Sequence, residues 1–184
     1  MKESKRALFI LLEMLEDENR KTHSLNVSSL VEKMCDFLKL EDNLKDSIVA
    51  SAILHDIGYS KEITKTNFHP VDGYVFLKEK GYNKIVLDVV LHHTGAEELV
   101  KMTREDLLPH YNCSELEETS LLAVSIVSLA DFHVNGYGVI VTPEERLEDI
   151  RVRHGSDSKI YIHAEEFLNE KLPKITDYIE SLSA

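Results

Sequence analysis

Nine histidines stand in a chain of 184 residues whose acidic groups outnumber its basic ones 33 to 21. They are the side chains best able to do chemistry, and their placement follows the helical pattern. His23 lies four residues before Val27 on an apolar stripe, and His55 lies seven after Ile48 and three after Ala52, with Asp56 beside it. Asp131 follows Val124, Val127 and Ser128 at helical spacing, and His69 shares a face with Gly73, Phe76 and Leu77. His92 and His93 end another apolar segment. Imidazoles and carboxylates on inner helix faces are costly to bury unless they meet one another or a cation. Nitrogen and carboxylate oxygen together suit an octahedral divalent ion better than the thiolate cage of structural zinc. The expected cofactor is one or two ions drawn from Mn, Fe, Ni, Co, Mg or Zn. Cys35 and Cys113 have no partners at metal-ligand spacing and outline no disulfide framework.

The elements that must position these residues read as helices nearly throughout. Leu8, Leu11, Leu12 and Leu15 mark the first. The second runs from about Thr22 to Leu40, and the third, from about Asp42 to Asp56, is apolar around most of its circumference, as a central buried helix must be. Gly58 is expected to stop it. His69-Pro70 opens a fourth helix that Gly81 closes, and a fifth runs from about Asn83 to His93. Residues 96–116 read as short helix plus loop, and Glu117 to Asp131 as another buried helix. Asn135-Gly136 is the one hairpin signal. Thr142-Pro143-Glu144-Glu145 starts a helix with cap, proline and acidic first turn in order. The last helix begins after Ser158, with a bend expected at Pro173.

A formal charge of −12 disfavours any nucleic-acid polymer as a partner. No apolar run reaches bilayer length, so no membrane partner is expected. The N-terminal apolar stretch carries Glu13 and lacks a small-residue cleavage site, unlike a signal peptide. The chain is therefore expected to be cytoplasmic and to form a single domain over residues 1–184.

The order His23, His55-Asp56, Asp131 resembles the H…HD…D signature of the HD-domain superfamily of all-helical, metal-dependent phosphohydrolases. The surrounding THSLNV, SAILHDIGYSKE and SLADF support it. FHPVDGYVFL followed by VLHHTGA resembles the branch with two extra histidines before the final Asp, which help bind a second metal. The resemblance spans roughly Arg20 to Asp131 and implies an all-α HD-domain helical bundle with C-terminal helices and one short β-hairpin. The metal-binding core would cover about 20–135 and a C-terminal extension about 142–184. It implies His23, His55, Asp56 and Asp131 as ligands of a first metal, with Asp56 bridging to a second held by His69 and one of two adjacent histidines. Aligning on Gly95 favours His92, and a one-residue slip selects His93.

Many members follow HDIG with a lysine that holds substrate phosphate. Tyr59 stands there in this chain and Lys61 is the nearest cation, so both are substrate-binding candidates. The chain lacks the motif extensions of cyclic-dinucleotide phosphodiesterases and of alarmone hydrolases. Arg146, Arg151 and Arg153 could face the site, with solvated surface the favoured expectation, and His110, His133, His154 and His163 are expected as surface or capping groups, with His133 near enough to Asp131 to reach the pocket. Tyr59 and Asp72 flank the cleft, with core polar packing an equal expectation for both, and Gly73 is expected to permit close helix packing. The implied activity is hydrolysis of a small, nucleotide-like phosphate ester or anhydride by a metal-activated water, with Asp56 the central catalytic residue. The alternatives are a di-iron oxygenase acting on a small organic substrate and a nucleotide-binding sensor without turnover.

Overall fold

The structure is a computed structural model that describes residues 2–111 and 116–182. Ten α-helices are described: α1 (Glu3–Met14), α2 (Glu18–Phe37), α3 (Asp42–Leu54), α4 (His69–Glu79), α5 (Lys84–His92), α6 (Ala96–Thr103), α7 (Glu118–Asp131), α8 (Pro143–His154), α9 (Lys159–Glu166) and α10 (Leu172–Ser181). Short 3₁₀ turns cover Ile57–Tyr59, His93–Gly95 and Glu105–His110. The fold is all-α. Among the described residues no helix is long and apolar enough to cross a membrane. Cys35 is buried and unpaired, and Cys113 lies outside the described residues.

The central helix is α3, packed between α1, α2 and α5. Ile48, Ala50, Ala52 and Leu54 expose no surface, so opposite faces of one helix feed two hydrophobic clusters. Leu11, Leu54, Leu77 and Val90 belong to one. Val27, Val31, Ile48 and Ile126 belong to the other. Each fully buried leucine or isoleucine there contributes about 1.5–3 kcal/mol. His55 ends α3 where these clusters meet.

Helix ends follow local chemistry, with instructive exceptions. α2 starts four residues before the expected Thr22, because Asp17 accepts hydrogen bonds from the Asn19 and Arg20 amides. α8 starts with the expected capping box, Thr142 and Glu145 bonding reciprocally. Before Pro173 the last segment widens into a π turn at Phe167–Lys171, because proline cannot continue the ladder and clashes with the preceding turn.

Gly58 is not a left-handed helix stop. Its backbone lies so close to α4 that a Cβ would sit 2.0 Å from the His69 carbonyl oxygen and 2.7 Å from the Gly73 nitrogen. Gly73 permits that approach from the other side, with Val90 against it. The hairpin shrinks to one antiparallel bridge, Val134 to Ile140. Its left-handed residue is Gly138, φ +82°, rather than the Asn135-Gly136 pair. The Asn135 carbonyl accepts from the Gly138 amide and closes the turn.

Candidate metal centre

Five helices, α2, α3, α4, α5 and α7, bring the predicted histidines and aspartates together. His23 sits one turn inside α2, His55 ends α3, and Asp56 follows it with φ −102° and ψ 9°, a sparsely populated backbone region common at active sites. His69 opens α4, His93 follows α5, and Asp131 ends α7. His23 and His55 expose nothing, and Asp56, His93 and Asp131 expose under a tenth of their surface.

The two carboxylate oxygens of Asp56 face different groups. Oδ2 lies 3.7 Å from His23 Nε2 and 3.6 Å from His55 Nε2. Oδ1 lies 3.2 Å from His69 Nε2 and 3.9 Å from His93 Nε2. Asp131 Oδ1 completes the inner group, 2.9 Å from His23 Nε2 and 3.8 Å from His55 Nε2. His23, His55 and Asp56 on one side, and Asp56, His69 and His93 on the other, each bring ligand atoms within 4.8 Å of one another.

Backbone carbonyls fix the ring tautomers. His55 Nδ1 donates to the Ala52 carbonyl at 2.7 Å, and His93 Nδ1 to the Val90 carbonyl at 3.0 Å, each reaching three residues back into its own helix end. His23 Nδ1 donates to the Asn135 carbonyl at 3.0 Å, across 112 residues of chain. With those protons placed, the neutral His23 and His55 rings present bare lone pairs at Nε2, only 3.3 Å apart. Neither can donate to the other or to Asp131, and buried Asp131 Oδ1 has no hydrogen-bond donor. Converging lone pairs and an orphaned carboxylate oxygen repel one another in a low-dielectric site, and a cation among them reverses the sign. The donor set fits a divalent metal.

Electrostatics agree. Burial opposes ionisation of Asp56, but His55 and Arg20 outweigh it and hold the carboxyl well below the ordinary range. Burial likewise opposes the Asp131 charge, and the neighbouring His23 outweighs that and lowers its pKa. Burial pushes His69 down to about 3 against the pull of Asp56. His93 is lowered by burial, with His55 adding to it. Imidazoles so depressed are neutral near pH 7, as metal ligation requires.

Of the two adjacent histidines, the structure brings His93 into the cluster. The His92 ring sits edge-on to Tyr111, 5.3 Å between centroids. Consecutive residues at a helix end point about 100° apart, so only one of the two can face the centre. The backbone after His93 is strained: Thr94 is β-branched with φ +47°. Ser128 Oγ accepts the Thr94 amide at 2.8 Å and His163 Nε2 donates to its carbonyl at 2.9 Å. Helices α7 and α9 thus hold the turn that aims His93.

A cavity of about 490 Å³ opens onto Asp56, His69, His93 and Asp131. Lys61, expected as its cation, is exposed on the turn after Tyr59 and does not line it. Arginines do. Arg20 Nη1 donates to Asp56 Oδ2 at 2.7 Å, and its guanidinium lies 4.0 Å from the Tyr59 ring centroid. Tyr59 lines the cavity and stacks on His69, 4.1 Å between centroids and 17° from parallel. Arg146 is not on solvated surface: it is 8% exposed, its Nη2 lies 3.6 Å from Asp131 Oδ1, and its Nε has no partner. Arg146 and Arg153 share Asp149, which also accepts the Gly136 amide. Arg151 is exposed and paired with Glu148, as expected. His154, exposed, and His163, which bonds the Thr94 carbonyl, fit the surface or capping roles expected of them and also line the cavity. His133 does not; its Nδ1 donates to the Leu129 carbonyl. Asp72 accepts from the Thr66 amide and hydroxyl and so holds the loop leading to His69.

Arg20 is the residue that sequence reasoning passed over. Its position three before His23, on the same helix face, is the signal that points to it. Arg146 and Arg153 have no such local signal, because long-range packing of α8 brings them in.

In a comparison with protein-family models, the HD domain matches residues 20–133. No curated protein and no solved structure matches the chain.

Proposed function

The chain belongs to the HD-domain family, and from that premise we propose that it is a metal-dependent phosphohydrolase acting on a small phosphate ester or anhydride. The observation that carries the reading is the split of Asp56, Oδ2 toward His23 and His55 and Oδ1 toward His69 and His93. His23, His55, Asp56 and Asp131 would hold one divalent ion, and Asp56, His69 and His93 a second. Such ions supply a nucleophilic water at neutral pH and polarise phosphoryl oxygens.

The protein's own groups do the rest. Arg20, Arg146 and Arg153 line the cavity beside the aspartates and bring fixed positive charge to a bound phosphoryl group. Asp56 and Asp149 hold these guanidinium groups in place, and Arg146 Nε has no partner of its own. Tyr59, between the Arg20 guanidinium and the His69 ring, keeps both planes in register. A net charge of −12 does not bar an anionic substrate, because local charge at the centre outweighs distant surface acids.

Elemental analysis of the purified protein together with phosphate release from a panel of esters and anhydrides tests the reading. The expected result is one or two bound divalent ions per chain and phosphate release that chelation abolishes and Mn or Mg restores. Two equivalents of iron, a coloured protein and oxygen consumption would instead establish an oxygenase. Tight nucleotide binding without turnover under any metal would establish a sensor.

A further inference from the structure

The cavity has two chemically distinct parts. Beside Asp56 and Asp131 it carries Arg20, Arg146 and Arg153, and the same lining includes the apolar Phe68, Pro70, Leu99, Phe132, Ile150 and Ile160. Those six come from the start of α4, from α6, from the residue after α7, and from α8 and α9. Ile160 is 41% exposed, a large aliphatic side chain left open on the cavity side of a helix.

Three of the polar side chains that line the cavity are committed elsewhere, while among the described residues the Asn67 amide and the Thr94 hydroxyl are not. The Thr103 hydroxyl donates to the Leu99 carbonyl. Arg104 gives two donors to Asp106 and a third to the Thr66 carbonyl. His163 donates to the Thr94 carbonyl. A nucleobase edge placed against the apolar side chains would go unmatched, at the full desolvation cost of each group. An apolar group loses nothing and gains in proportion to the area removed from water. A volume near 490 Å³ is within the range of small-ligand pockets.

We propose that the organic part of the substrate is apolar, so that the protein takes the phosphate ester of an aliphatic or aryl alcohol, its phosphate at the aspartate–arginine end and its hydrocarbon along the Phe68–Leu99–Ile150–Ile160 wall. The proposal rests on the phosphohydrolase reading for the placement of the phosphate, and names the substrate class for the same cavity.

The test is binding rather than turnover. Titration calorimetry with methyl-, butyl-, hexyl- and octylphosphonate, whose carbon–phosphorus bond resists hydrolysis, is run on the Mn-loaded and the metal-free protein. Affinity for the loaded protein is expected to rise about fourfold per added methylene until the wall is covered. The same slope with weaker affinity is expected without metal, since the wall does not depend on the ions. Ile160→Ser, at a position exposed enough to leave the fold intact, is expected to flatten the gradient. Affinity that does not change with chain length overturns the proposal, as does adenosine 5′-phosphonate binding more tightly than hexylphosphonate. A steep gradient with no phosphate release from any ester under any metal overturns the hydrolase reading alone. Phosphate release from nucleotides with a flat gradient overturns the apolar substrate alone.

Discussion

His23 and His55 meet Asp56 Oδ2 with no exposed surface and with each Nδ1 proton given to a backbone carbonyl. His69, a fifth of its side chain exposed, meets Oδ1 from the cavity side, its ring held face to face by Tyr59. His93 is intermediate, buried and tied to Val90, but mounted on the strained Thr94 turn. One half of the centre is thus set by backbone carbonyls that take both Nδ1 protons, and the other by stacking and by a turn that α7 and α9 keep in place. The lesson is that a shared carboxylate can join a preorganised half to one open to the cavity. On the proposed metal-centre reading, the inner half would retain an ion and the outer half would exchange ligands around one.

The largest effect is expected at the shared residue. Asp56→Ala removes a ligand from both halves, so elemental analysis should find neither ion while the far-UV helical signal persists. Retention of one full equivalent would show that the halves do not depend on a common carboxylate. Next, His69→Ala should lose one equivalent and keep the other, whereas His55→Ala should lose the tightly held ion. Identical stoichiometry in the two variants would merge the halves into a single site.

A smaller change tests the inner half from a distance. The Gly138 backbone lies against α2, where an added Cβ would fall 2.6 Å from Thr22 Cγ2 at a left-handed φ of +82°. Asn26 Nδ2 donates to the Gly138 carbonyl at 2.6 Å, so the loop that supplies the Asn135 carbonyl to His23 is clamped at this point. Gly138→Ala should destabilise the protein by about 1–2 kcal/mol and weaken the inner ion about 10–100-fold. Equal weakening of the outer ion would break the distinction.

The effect that is smallest at any one pH step is a difference in slope. Burial holds His69 at about 3 in the folded protein, against about 6.5 when unfolded. Below 6.5 the unfolded chain therefore binds the proton that the folded chain refuses. The resulting stability is complete above that pH and is lost as pH falls from 6.5 toward 3. Chemical denaturation of the metal-free protein should show His69→Gln reducing this pH dependence by about 1 kcal/mol per unit. An unchanged slope would mean that the outer histidine is as free to ionise as one in water.

Legibility divides along physical lines. The capping box at Thr142 and Glu145, the buried α3 and the proline opening α4 were readable because each is fixed by neighbours within a few residues. So were His23, His55, Asp56, His69 and Asp131 as a convergent set, because buried polar groups at helix ends must meet partners. Lys61 was the nearest cation in sequence, yet Arg146 and Arg153 occupy the cavity, because distance along the chain carries no information about how α8 folds back.

The sequence by itself determined an all-helical chain with imidazoles and carboxylates on inner faces, since helical period and the cost of burying charge act locally. Only the tertiary structure decided that His93 rather than His92 faces Asp56. That choice depends on a rotation of about 100° per residue, set by the Ser128 and His163 bonds on either side of Thr94. It also decided which nitrogen of His23 is bare, because the carbonyl that takes its proton comes from Asn135, reached only when the chain has closed on itself.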